Sequence, residues 1–119
     1  MAKVNQAELF AIINGLQNAA TVADLNAKLA EFDGNDDEAD SWQRAKSNAR
    51  NKLTKLRALL ALSIRNGQSG LEWPSEESQQ KIMAKSQELA MLTQEQLVGE
   101  AGVSAATVFF GLLKGLPLA

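Results

Sequence analysis

Apolar residues recur along most of the chain at three- and four-residue intervals, the spacing that gathers side chains on one face of an α-helix. The clearest case is Ser41 to Arg65, SWQRAKSNARNKLTKLRALLALSIR. Trp42, Ala45, Ala49, Leu53, Leu56, Leu60 and Ile64 fall there on one stripe at about 100° per residue. The stretch contains no Pro, Gly or acid, and with the acidic residues before it the pattern predicts a central helix over 36–65. Upstream, Asn5 with Glu8 reads as a reciprocal helix cap, followed by Leu9, Phe10, Ile12, Ile13 and Leu16 on an apolar face that weakens at Gly15. Thr21 with Asp24 reads as a second start, with Val22, Leu25, Leu29 and Phe32 marking one side and Gly34 the stop. Residues 1–34 are therefore expected to form a hairpin of two short helices.

Beyond Arg65, the segment NGQSGLEWPS has no periodicity and several turn-forming clusters, which predicts a loop. Asn66-Gly67 ends the central helix, and Leu71 and Trp73 are expected to anchor the loop to the core. Ser75 caps a further helix whose face is Ile82, Met83, Ser86, Leu89 and Ala90, running to about Leu92. With aromatic residues at only 5% of the chain, Leu, Ala and Ile must do most of the packing. The β-branched residues are scattered, which favours helix over sheet. The expected fold is all-α: one domain over 1–119, a bundle of five or six helices around the long central one, with a helical C-terminal part at 75–115.

Composition narrows the chemistry. The chain has no His and no Cys, so the commonest general base, the thiol nucleophile and the usual zinc ligands are all missing. Glu76 and Glu77 are neighbours in sequence and diverge around a helix instead of converging. No phosphate-cradling glycine pattern or nucleophile elbow occurs. The expectation is a non-enzymatic protein with no cofactor, metal or small-molecule substrate. The acidic run Asp33 to Asp40, DGNDDEAD, is rich in oxygen ligands, but a calcium loop needs Glu at its twelfth position and Arg44 stands there; a solvated turn before the central helix is the simpler reading. No apolar run approaches the roughly 20 residues of a membrane span, which makes cytoplasm the expected location.

Charge is unevenly placed. The net value is −2 and the isoelectric point about 5.1, yet the central helix carries seven Lys and Arg and no acid from Ser41 onward. Arg44, Lys46, Arg50, Lys52, Lys55 and Arg57 are candidates to track a phosphate backbone. The competing reading is a solvated flank balanced by acids elsewhere, and the absence of Tyr leaves no stacking platform for single strands.

The C-terminal run LTQEQLVGEAGVSAATVFFGLLKG, Leu92 to Gly115, resembles the helix-turn-helix of bacterial and phage DNA-binding regulators. The resemblance implies that Thr93 and Gln96 cap the first helix, that Leu97 and Ala101 face inward, and that Gly102 makes the turn. It implies also that Val103 plugs the core, Ser104 caps the second helix and Val108 faces in. On that second helix Ser104, Thr107 and Lys114 join the nucleic-acid candidates. The chain departs from the pattern at Val98 and Gly111, and the outward residues Ala105, Ala106, Phe109 and Phe110 cannot form the bidentate hydrogen bonds that read base edges. Two other readings stand beside it: a tight helix–helix turn with the phenylalanines in the core, and a motif turned to protein binding, with Phe109, Phe110, Leu113 and Leu116 packed on a partner protein or a second copy. The expected function is a small non-enzymatic regulator acting on DNA or on a DNA-bound machine through this helix-turn-helix-like element, with the central bases as phosphate contacts; the alternative is a protein–protein interaction module or inhibitor, of phage type, docking or dimerising through its apolar C-terminal helix.

Overall fold

Asn5 opens the first helix, α1 (Gln6–Phe32), as a reciprocal cap: its side chain accepts the Glu8 N–H at 2.8 Å while its own N–H donates to Glu8 Oε1 at 3.0 Å. In the computed structural model, which describes residues 2–118, four more helices follow. They are α2 (Asp36–Asn66), α3 (Glu76–Ala90), α4 (Gln94–Val98) and α5 (Glu100–Leu113). The fold is all-α apart from one isolated bridge, Lys3 with Glu72.

The two short helices expected over 1–34 are one. Gly15 does not end a helix; it lets two helices touch. A Cβ built there would lie 2.8 Å from the Ser86 Cα, so α1 and α3 approach more closely than any side chain permits. Thr21 caps nothing, because its hydroxyl donates to the Gln17 carbonyl one turn back at 3.1 Å. Asp24 instead binds Lys46 of α2 at 2.7 Å and Lys28 at 3.1 Å.

Three contacts fix α1 parallel to α3 in a constant register. Gln79 donates to Glu8 Oε2 at 2.7 Å, Gly15 faces Ser86, and Asn18 Nδ2 donates to the Leu89 carbonyl at 2.8 Å. Glu8 also accepts the indole N–H of Trp73 at 3.2 Å, so one carboxylate ties a helix cap, the loop after α2 and the first turn of α3. That loop is pinned to the N-terminal segment by Val4 N–H to the Leu71 carbonyl and Trp73 N–H to the Ala2 carbonyl. Leu71 and Trp73 are buried, as their role as anchors requires.

The core is one cluster running from Val4 to Leu116, with Leu9, Ile12, Leu16, Leu56, Ile82, Leu89 and Phe109 at its centre. α2 contributes Ala49, Leu53 and Leu56 in full, while Trp42 and Leu60 are half-buried. The predicted stripe fails at its last member: Ile64 is 62% exposed and Ser63 takes the buried position, where α2 reaches its left-handed stop at Gly67. α1 outruns α3 as well, continuing to Phe32 after α3 has ended beside Asn18. Ala23, Ala27, Ala30 and Ala39 are buried there between α1 and the start of α2. Leu29 and Phe32 lie outside that seam, 51% and 89% exposed, and do not form the core face expected of them. The molecule is accordingly elongated, 48 × 22 × 21 Å.

Overpacking a tight contact costs about 1–3 kcal/mol, and against backbone this exceeds the roughly 1 kcal/mol that Ala gains over Gly within a helix. Gly15→Ala should therefore lower the unfolding free energy in a urea titration; unchanged stability would mean that the helices part freely. The hydrogen bond from Lys46, then that from Lys28, holds the Asp24 carboxyl below its ordinary value of 3.8, against a smaller upward push from burial. A depressed carboxylate stabilises fully above its unfolded value, and the contribution is lost as pH falls through the folded one. Asp24→Asn should thus flatten the acid limb of a thermal-stability profile while lowering stability at neutral pH.

Candidate nucleic-acid interface

Among the described residues, α1 is the one helix packed along the length of α2, so most of the circumference of α2 faces water. The bases on it separate into two flanks. Arg50 and Arg57 line the groove toward α1, beside Gln17 and Thr21. Arg44 and Lys52 line a notch toward α5, with Asn48 between them and Phe110 and Lys114 opposite. Lys55 is next to this second group, close enough to act on Lys52 electrostatically.

Their partners differ in kind. Lys46 is a structural residue, half-buried in its ion pair with Asp24, and so drops out of the free cations. Among the described residues the ion pairs are Lys28–Asp24, Lys46–Asp24, Lys81–Glu77 and Lys85–Glu88. Arg44, Arg50, Lys52, Lys55, Arg57, Arg65 and Lys114 therefore have no carboxylate partner there. All but half-buried Lys52 are exposed. Burial first, and then the charges of Lys114 and Lys55, push the Lys52 ammonium below its usual range; this is the response of a cation that has lost water and gained only like neighbours.

The C-terminal helices meet elsewhere than expected. Thr93 and Gln96 form the reciprocal cap of α4 and Leu97 is buried. The break falls at Gly99, which is both C-cap of α4 and N-cap of α5. Gly102 lies inside α5, pressed so close to α4 that a Cβ would meet the Leu97 carbonyl oxygen at 2.5 Å; close approach, not a left-handed backbone, explains the glycine. Because α5 starts one turn early, Ser104 caps nothing, and the inward face carries Ala105, Ala106, Phe109 and Leu113. Val108 is instead 45% exposed, and Ala101 faces out.

Of the residues expected at a protein interface, Phe109, Leu113 and Leu116 lie in the chain's own core and Phe110 is half-buried at the α2 notch. Ser104 and Thr107 are exposed on α5, though the Thr107 hydroxyl already donates to the Val103 carbonyl at 2.7 Å. Phe110 was not legible as a neighbour of Lys52, since only the fold brings α5 to α2; Asn48, one turn before Lys52 on α2, follows from helical spacing alone. Sequence reading also missed Phe32 as a surface residue, although its place immediately before the acidic run was a signal.

No group of three or more carboxylates is placed to hold a metal ion among the described residues, and no described helix is long and apolar enough to cross a membrane. The arrangement offers positive charge and hydrogen-bond donors, the chemistry of anion contact. In comparison with known proteins, the chain matches no protein-family model, no curated protein and no solved structure.

Proposed function

We propose that the protein is a non-enzymatic regulator that docks on duplex DNA, or on a DNA-bound assembly, through the solvent face of α2. The observation that carries this reading is that Arg44, Arg50, Lys52, Lys55, Arg57 and Arg65, spread along two flanks of α2, have no carboxylate partner among the described residues, in a chain whose acids outnumber its bases 14 to 12. Charges left facing one another repel in the free protein. A polyphosphate surface relieves that repulsion and releases its own condensed counterions. From Arg44 to Arg65 the helix rises about 32 Å at about 1.5 Å per residue, comparable with one duplex turn of about 34 Å.

Between the bases stand Ser47, Asn48, Asn51 and Thr54, all exposed, whose side chains can hydrogen-bond phosphate oxygens and, for Asn, base edges. This supports α2, in place of the C-terminal helix pair, as the docking element. The outward positions of α5 offer Ser104, Thr107 and Lys114 but no bidentate reader. The acids gather just before α2 and in its first turn, where Asp33, Asp36, Asp37 and Glu38 are exposed, and a duplex lying along the middle of α2 avoids them.

The test is binding of mixed-sequence duplex DNA by fluorescence anisotropy across a salt series. Binding at low salt is expected, with Arg50→Gln and Arg57→Gln each reducing the log–log salt slope by about 0.9, the contribution of one phosphate contact. Absence of binding at low salt, or a slope that neither substitution changes, would remove this reading. The protein–protein module would then take its place, supported by the 89% exposure of Phe32.

A further inference from the structure

The notch between α2 and α5 has a composition that duplex contact does not account for. Arg44, Asn48 and Lys52 stand on successive turns of α2, and Phe110 and Lys114 on successive turns of α5; Ser41 and Ala45 complete the lining of a cavity of about 220 Å³. Spacing of four residues keeps each set on one helix face, and both sets line the same cavity. None of the three cations has a carboxylate partner among the described residues. Asp40, one turn before Arg44, makes no ion pair with it. Lys55, on the same side of α2, adds a fourth positive charge within electrostatic range.

We propose that this notch binds a phosphate monoester dianion. Such a group carries about −1.5 to −2 charge at neutral pH and three strong acceptor oxygens, where a carboxylate or a phosphodiester carries one negative charge. The notch supplies donors in matching excess: the guanidinium fork of Arg44, the ammonium groups of Lys52 and Lys114, the Asn48 amide and the Ser41 hydroxyl. Phe110 and Ala45, both half-buried, line the rest of the wall with apolar surface. At about 30 Å³ for each water displaced, the cavity has room for the phosphate and part of the group it esterifies. Burial and the charges of Lys114 and Lys55 depress the Lys52 ammonium in the free protein; a dianion between them reverses the electrostatic part of that effect.

A phosphorylated nucleic-acid end and a small sugar phosphate carry the same group, and the experiment separates them. The site shares Arg44 and Lys52 with the duplex reading, and the two are told apart by Arg50 and Arg57, which lie on the α1 flank and outside the notch. The full chain is titrated calorimetrically with inorganic phosphate, ribose 5-phosphate, and an oligothymidylate bearing either a 5′-phosphate or a 5′-hydroxyl, at constant ionic strength. One saturable site is expected for the three monoester-type ligands, with the 5′-hydroxyl oligomer weaker by roughly tenfold or more. Tighter binding of the phosphorylated oligomer assigns the site to a nucleic-acid end, and tighter binding of ribose 5-phosphate to a small metabolite; both support the proposal.

Lys52→Gln combined with Lys114→Gln should weaken binding by roughly tenfold or more, with helical circular dichroism unchanged. Lys114→Arg should retain it, and Arg50→Gln with Arg57→Gln should leave it intact even if duplex binding is lost. Equal binding of the 5′-phosphate and 5′-hydroxyl oligomers, no saturable phosphate binding, or equal losses from the two flanks would overturn the site.

Discussion

Where α1 crosses α3, Gly15 meets the backbone of Ser86 with no room for a side chain between them. Contacts from Glu8 to Gln79 and from Asn18 to Leu89 extend that meeting over three turns in one register. Because the helices are parallel and in fixed register, α3 must end beside Asn18 while α1 runs on to Phe32. α1 packs against all four other helices, so its position sets theirs. The short α4 and the returning α5 close the same side of the core, and α2 is left to pack along the remaining side of α1. Had α1 broken at Gly15, no continuous wall would exist for a 31-residue α2 to lie against.

The exposure of α2 follows from that arrangement. A helix with one long neighbour buries one stripe, here Ala49, Leu53 and Leu56 with half-buried positions on either side, and leaves the rest wet. Some of its charge has a plain helical cause. Asp36, Asp37 and Glu38 sit in the first turn and Arg65 in the last, where each sign suits the macrodipole. That effect dies away within a turn of each end, so it does not reach Arg50, Lys52, Lys55 or Arg57. Nor does ion pairing explain them, since among the described residues Lys46 is the one α2 base with a carboxylate partner. The macrodipole and the ion pairs among the described residues therefore do not account for the mid-helix bases, which are the charges the proposed anion contact would use.

Local chemistry was legible in the sequence and tertiary chemistry was not. The caps at Asn5, Ser75 and Thr93 could be read because each is a hydrogen bond spanning three residues. The apparent cap at Thr21 has the same spelling, but inside a continuous helix its hydroxyl bonds back to Gln17. Gly15 was misread because weak helix propensity is a small term, easily outweighed by a close helix crossing whose other half lies 71 residues away. The phase of α5 hinged on Gly102: read as a turn, it sends Phe109 outward, whereas pressed against Leu97 it carries Phe109 into the core. The six bases of the proposed contact row were visible as letters. Their division into two flanks, and the meeting of Lys52 with Lys114, exist only once α5 lies beside α2.

The proposed polyanion contact lies on the α2 cations that have no carboxylate partner among the described residues, not on the C-terminal helix pair. Side-chain NMR shifts of the Arg and Lys groups, followed while duplex DNA is added at low salt, test it most directly. Arg44, Arg50, Lys52, Lys55 and Arg57 should move together and saturate, with Lys46 held in its ion pair and little affected. Shifts confined to Ser104, Thr107 and their neighbours on α5, with the α2 bases unmoved, would contradict it.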